Sequence, residues 1–330
     1  MSTYLKSLQS ALHFIFETNP RVILLGEDIL DPYGGAFKVS LGLSSKYKDR
    51  VITTPISESS IIGVANGLAL RGLRPIAEIM FGDFLTLCAD QIINHAAKFK
   101  RMYNDSVDVP LIIRTPMGGG RGYGPTHSQS IEKLFLGVPH LKIIAPSHLH
   151  DPGEILKFCV VNENQPVLFI EHKLLYPLEL ETGKVILEND ISGYPTAVCR
   201  NYDPAKTKPD VAIISYGGIS RLILPLLDEL QDEEIHIIAL FPALIKPLTL
   251  ESIIKACELA GNVIIVEEGT EGFNWGSEVS ALIYDQLWQK LKTPIRRLSS
   301  KSDIIPTSFE LEEKMLVSSN DIREAIFKII

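Results

Sequence analysis

The sequence predicts two α/β domains, each a mostly parallel sheet covered by helices. Three observations lead there. The chain has 330 residues, long for one core and comfortable for two. Short, near-continuous apolar runs of strand type recur along it, separated by segments with apolar residues at helical spacing; strands apolar on both faces belong to parallel sheets buried on both sides. Between residues 177 and 208 the pattern weakens, and Pro177, Pro195 and Pro204 accumulate among charges, with Pro209 just beyond. The expected division is a domain over 1–176, a connection over 177–208 and a smaller domain over 209–330.

In the first domain RVILLGED (21–28), RPIAEIM (74–80), VPLIIRTP (109–116), LKIIAPS (141–147) and PVLFIEH (166–172) read as strands. Residues 86–104 and 151–163 carry helical spacing. In the second, DVAIISYG, HIIALFP and NVIIVEEG are strands, and SRLILPLLDELQD, TLESIIKACELAG, GSEVSALIYDQLWQKL and IREAIFKII are helices. The net charge is -8 and no block of lysine and arginine stands out, which argues against nucleic acid or an anionic membrane as partner. Cys88, Cys159, Cys199 and Cys257 form no CxxC pair and read as reduced thiols. The opening MSTYLKSLQS lacks a signal-peptide pattern and no apolar run is long enough to span a bilayer, so a cytoplasmic, soluble protein is expected.

TPISESSIIGVANGLALRG (54–72) raises a chemical question. Ser57 is placed to cap a helix that starts at Glu58. A glutamate there can simply complement the helix dipole, worth roughly 0.3–1 kcal/mol. The residues after it have no polar stripe beyond Asn66, which predicts a helix buried all round. Gly63 and Gly67, four apart, each cost about 1 kcal/mol against alanine and permit another backbone to approach, as in a tight subunit contact. A carboxylate at the dry end of such a helix needs a partner or takes up a proton. A heterocycle nitrogen that shares a proton would satisfy it.

GGGRGYGPTHSQS follows a strand but is neither a phosphate-binding P-loop nor a dinucleotide fingerprint. Its glycines suit a loop that folds over a ligand, with His127 and Ser128 as polar tips. His148 and His150, in HLH, read as a solvated turn, since no third metal ligand is apparent.

Taken together, TPISE with its Gly/Ala-rich helix, RPIAEIMFGDFLTLCADQIINHAAK, LLGEDI with GGAFKVSLGL, RTPMGGGRGYGPTHSQS, PVLFIEHKLLY and VEEGTEGFNWGSEVSALI resemble the beta subunit of the thiamine-diphosphate-dependent decarboxylase of 2-oxo acid dehydrogenase complexes. The likeness spans nearly the whole chain. It implies a transketolase-like pyrimidine-binding domain followed by a smaller transketolase C-terminal domain. It also implies that Glu58 binds the aminopyrimidine ring of thiamine diphosphate and activates it, that Phe84 packs against that ring, and that His127 stabilises charge on the oxo acid or relays a proton. Arg121 and Tyr123 lie where the family varies and are candidates for the substrate carboxylate. Some members hold potassium with carbonyl oxygens at positions matching Leu111, Cys159, Val160, Asn162 and Asn164; the family usually has an aspartate where this chain has Asn162, and losing that charge puts the ion in doubt. The diphosphate and magnesium site of the superfamily starts with Gly-Asp-Gly, which this sequence lacks. The resemblance therefore implies an alpha subunit holding diphosphate and magnesium, a heterotetramer of two alpha and two beta subunits, and acyl transfer to a lipoyl acyltransferase. The 2-oxo acid is left open among pyruvate, branched-chain and acetoin-type members. The alternatives are the C-terminal half of a split transketolase and a non-catalytic assembly subunit of the same fold.

Overall fold

The computed structural model describes residues 2–330. Contacts divide the chain into two compact units that do not follow sequence order: one takes residues up to Met117 with Leu134–Ile144 and Asp151–Leu180, the other Gly118–Lys133, Ala145–His150 and Glu181–Ile330.

The first unit opens with α1 (Tyr4–Thr18), where the Thr3 hydroxyl accepts a hydrogen bond from the Lys6 amide and Leu8, Leu12 and Ile15 turn inward. Then come β1 (Val22–Gly26), α2 (Leu43–Lys46), β2 (Val51–Thr53), α3 (Glu58–Leu70), β3 (Arg74–Glu78), α4 (Phe99–Met102), β4 (Ile112–Met117), β5 (Lys142–Ile144), α5 (Pro152–Asn162) and β6 (Val167–His172). The strands lie in the order β5-β6-β4-β3-β1-β2, and every neighbouring pair is parallel. Both faces are covered, so strands such as β4 and β6 are buried throughout, as their unbroken apolar runs predict. The order reverses at β1: the chain steps from β1 to β2 on one side, then to β3 on the other. In open parallel sheets the crevice at the carboxyl ends of strands at such a reversal is where ligands bind.

The second unit contains β7 (Val185–Asn189), β8 (Pro195–Arg200), β9 (Val211–Ile214), α6 (Ser220–Asp232), β10 (Ile237–Pro242), β11 (Leu244–Lys246), α7 (Glu251–Ala260), β12 (Val263–Thr270), α8 (Trp275–Leu287), β13 (Arg296–Ser300), α9 (Phe309–Glu313) and α10 (Ser319–Phe327). Its sheet runs β13-β12-β9-β10-β8-β7, parallel from β13 to β10 and antiparallel at β8 and β7. Its core includes Ile213, Ile223, Ile237, Phe241, Val266 and Ile326.

Four expectations are modified. The stretch read as a connection, 177–208, carries the antiparallel pair β7 and β8; β7 is an edge strand with mostly exposed side chains, and its apolar run of only Val185, Ile186 and Leu187 lies between charged residues, which hides it among the surrounding charges and prolines. The helix expected over 86–104 is broken into a 3-10 helix (Gly82–Cys88), a π-helical turn (Gln91–Ala96) and α4, because apolar spacing does not separate these windings. Helix α3 is not buried all round: Val64 is 54 % exposed and no heavy atom lies within 4 Å of where a Gly67 Cβ would sit. Ser57 stands at the N-cap, but its hydroxyl bonds the Ser60 hydroxyl at 2.8 Å and not a backbone amide. Among the described residues no helix is long and apolar enough to cross a membrane.

Candidate active site

Three of the first unit's strands end at the reversal in the sheet, and each leads to a residue of chemical interest. Glu27 follows β1, Glu58 opens α3 after β2, and Phe84 follows β3 in the Gly82–Cys88 helix. Glu58 and Glu27 are buried, at 6 % and 8 % exposure. Burial raises the Glu27 pKa, and the Glu58 charge raises it further; the Ser57 amide opposes both. Glu27 Oε1 has no hydrogen-bond partner among the described residues. Two carboxylates thus share one dry corner, an arrangement that holds a proton or calls for a cationic or N–H donor. The Cys88 thiol lies in the field of Glu58 as well, and burial first, then that charge, pushes it up to about 12, so it is an inert neighbour. Helix α3 is tied to the π-helical turn by the Asn66 side-chain amide, which donates to Gln91 O at 2.9 Å.

Phe84 belongs to an aromatic wall. Its ring meets Phe81 edge-on at 5.7 Å, Phe81 meets Phe37 at 6.4 Å, and Phe37 stacks on Tyr176 at 5.0 Å. A buried ion network sets this wall. Arg114 on β4 donates to both oxygens of Glu171 at 2.7 and 2.8 Å and to Glu78 Oε2 at 3.0 Å. Burial alone would lower the Arg114 pKa; the Glu171 and Glu78 charges outweigh it, and the guanidinium stays charged. The Tyr176 hydroxyl donates to Glu171 Oε2 at 2.8 Å, and Glu78 Oε1 accepts from the Ala36 amide at 2.7 Å. A Cβ on Gly35 would fall 2.5 Å from Glu78 Oε1, so only glycine, here at φ +76°, lets the loop that carries Phe37 approach the network.

His127 lies in the second unit, in the glycine loop. Its Nδ1 is 2.9 Å from the Thr126 hydroxyl and its amide donates to Gly124 O at 3.3 Å. The loop is clamped through its backbone. Gly119 N donates to Glu268 Oε1 at 2.7 Å, Gly120 N to Glu312 Oε1 at 2.9 Å and Gly122 N to Glu312 Oε2 at 2.7 Å. The Ser130 hydroxyl adds a 3.0 Å bond to Glu268. Leu316 closes over Gly119, where a Cβ would fall 2.7 Å from its Cδ1. Arg121 sits 5.3 Å from the Tyr123 ring centroid.

The residues suggested for potassium are already engaged. Val160 O accepts from Arg74 Nη1, Cys159 O from the Glu163 amide and Leu111 O from the Val167 amide. The Asn162 side chain turns back to donate to Phe158 O, and Asn164 Oδ1 accepts from Arg74 Nη2. His148 and His150 are not a solvated turn: both are buried, beside Ser220 and Ser147, and burial pushes each down to about 4. No group of three metal-ligating side chains occurs among the described residues.

Residues 1–179 match the transketolase pyrimidine binding domain and residues 202–322 the transketolase C-terminal domain. The chain is 36% identical to the pyruvate dehydrogenase E1 component subunit beta of Porphyra purpurea, over 98% of this chain and 95% of that one. It is 34% identical to the 2-oxoisovalerate dehydrogenase subunit beta of Bacillus subtilis, over 98% and 97%. It belongs to the family of these beta subunits. The acetoin:2,6-dichlorophenolindophenol oxidoreductase subunit beta of Cupriavidus necator is another relative, 33% identical over 94% and 92%. A solved structure described as a split gene transketolase, inactive beta4 tetramer, shares the fold with a TM-score of 0.70 over 98% and 96%, at 19% identity.

The candidate-site residues not singled out from the sequence are Glu27 and the clamp residues Glu268 and Glu312. For Glu27 a signal existed: GED ends a strand that the alternation predicts to be central, and such ends carry ligands. The clamp lies far away in sequence and left none.

Proposed function

We propose that the chain is the beta subunit of a 2-oxo acid dehydrogenase and supplies the half of the active site that receives the aminopyrimidine of thiamine diphosphate. The observation that carries this is the buried Glu27–Glu58 corner with its unpartnered Glu27 Oε1. The fit is chemical: an aminopyrimidine offers a protonatable ring nitrogen and an amine, the donors such a corner lacks. When bound, the cofactor supplies the carbanion chemistry of decarboxylation. Glu58 would hold the aminopyrimidine by accepting a hydrogen bond from its ring nitrogen, and its carboxylate would favour the protonated form of that nitrogen. Glu27, with Oε1 unpartnered, would accept from a further donor of the ring system. Phe84, at the end of the aromatic wall, offers an apolar face to the ring. His127 is presented by the clamped loop, where an imidazole can stabilise a developing negative charge on the oxo acid or relay a proton.

The names of the relatives, all beta subunits, support an alpha partner, and the missing Gly-Asp-Gly motif supports assigning diphosphate and magnesium to it. The open face of α3, with Val64 exposed and Gly67 bare, suits contact with that subunit. Acyl transfer to a lipoyl acyltransferase completes the proposed reaction. The test is reconstitution. Pure chain with thiamine diphosphate and magnesium should decarboxylate none of a panel of 2-oxo acids, and turnover should appear on adding the alpha subunit. Turnover by the partner-free chain would overturn the assignment.

A further inference from the structure

The end of α5 has a cation requirement that follows from helix geometry. The last carbonyls of a helix have no intrahelical partner and carry the negative end of its dipole. Pro166, three residues past Glu163, prevents the chain from continuing the winding. Here Arg74, at the start of β3, fills the vacancy. Its Nη1 donates to Val160 O at 2.6 Å and to Glu163 O at 2.9 Å, and its Nη2 donates to Asn164 Oδ1 at 3.0 Å. One nitrogen therefore stands between two carbonyl oxygens, where a monovalent ion held by those oxygens would have to sit.

We propose that Arg74 is the resident cation of this turn and that the chain takes no potassium there. Three further observations support it. The guanidinium is tethered, so it competes at high effective concentration against an ion that must shed water. A second cation is already present: Lys142 Nζ lies 2.7 Å from Glu163 Oε1, so the one acidic side chain of the turn is neutralised locally. An added potassium would meet two positive groups. Asn162, the suggested ligand, is exposed and directs its amide to Phe158 O at 3.0 Å, which offers a donor hydrogen bond to the helix and no charge to an ion. This inference does not depend on the catalytic reading, since every atom it uses lies in the first unit at the end of α5 or the start of β3 and β5.

The experiment compares thermal unfolding of the full chain in potassium chloride and in tetramethylammonium chloride at equal ionic strength. The wild-type midpoints should coincide. A site filled to about a hundred times its dissociation constant would instead raise the midpoint by about 4 °C in potassium, and that result would overturn the proposal. Crystals soaked in thallium(I), a potassium mimic located by its anomalous scattering, should show no peak between Val160 O and Glu163 O; a peak there is equally fatal. The variant Arg74→Ala exposes the carbonyls. It should unfold at a lower midpoint in tetramethylammonium and regain at least half of the loss in potassium. A folded variant that potassium does not rescue would show that Arg74 acts by packing and not as the cation. Should the variant not fold, the two wild-type measurements still decide.

Discussion

Replacing Glu312 by alanine removes both acceptors that hold the Gly120 and Gly122 amides. Glu312 is wholly buried and its two oxygens receive those bonds at 2.9 and 2.7 Å. Hydrogen bonds to a charged group contribute about 1.5–3 kcal/mol each, so the pair is worth about 3–6 kcal/mol while the loop stays closed. An opened loop rehydrates its amides, which places the effect at the lower end, about 3 kcal/mol, or roughly a hundredfold in the open population. Arg121 sits between the two clamped glycines and is exposed, which gives a direct assay: trypsin cleaves after Arg121 when the loop opens. Where reclosing outpaces cleavage, the rate follows the open population. Cleavage at this bond should therefore accelerate roughly a hundredfold in Glu312→Ala, by the same free-energy arithmetic, with an intermediate rise in Glu312→Gln, which keeps one acceptor. In the assembled enzyme, turnover should fall in step, because the same loop presents His127. An unchanged cleavage rate in a folded alanine variant would refute the clamp.

Other outcomes follow from the site and its surroundings. His127→Ala in the assembled enzyme should lower turnover while calorimetric affinity for thiamine diphosphate changes little; parallel loss of both would make the residue structural. Glu267 is raised to about 8, chiefly by burial, against 4.5 ordinarily, so the folded chain holds a proton that the unfolded chain has released. Stability should fall as pH rises from about 4.5 to about 8, by an amount on the order of a few kcal/mol, and Glu267→Gln, which keeps an oxygen for the Gly276 amide, should flatten that slope in denaturant titrations. His148 and His150 act in the opposite sense. Held at about 4 by burial, they stay neutral while the unfolded chain takes up protons below 6.5, so stability is lost as pH falls from 6.5 towards 4, and His150→Gln should reduce that loss.

What the sequence reveals and what it hides divide along a physical line. Periodicity registers burial along a segment, so the central strands and α5 are legible, and Glu58 stands out because a lone carboxylate interrupts small and apolar residues. Features made by atoms distant in sequence are not legible. Gly120 and Glu312 are 192 residues apart, and Arg74 reaches Val160 across 86. No local pattern records such contacts. The histidines of HLH mislead for a related reason: polar residues beside a helix start look solvated until the fold surrounds them with Ser220 and Ser147. The break in the expected 86–104 helix lies next to the site, where departures from regular winding often occur. The open stripe of α3 is a different case, since composition reports that a face is apolar and small without saying which chain covers it.

The central claim is that Glu58 holds the proton of the cofactor's ring nitrogen, and Glu58→Gln tests it most directly. Glutamine keeps the size and the hydrogen-bonding reach, so α3 should pack as before and the subunits should assemble. It carries no negative charge, so it cannot stabilise a protonated ring. The measurement is hydrogen–deuterium exchange at the reactive thiazolium carbon of bound thiamine diphosphate in the assembled variant. Exchange slowed by about a hundredfold or more, the scale of general acid–base contributions, is the expected result. Exchange at the wild-type rate would return Glu58 to a helix-start glutamate that does no more than complement a dipole, worth under about 1 kcal/mol.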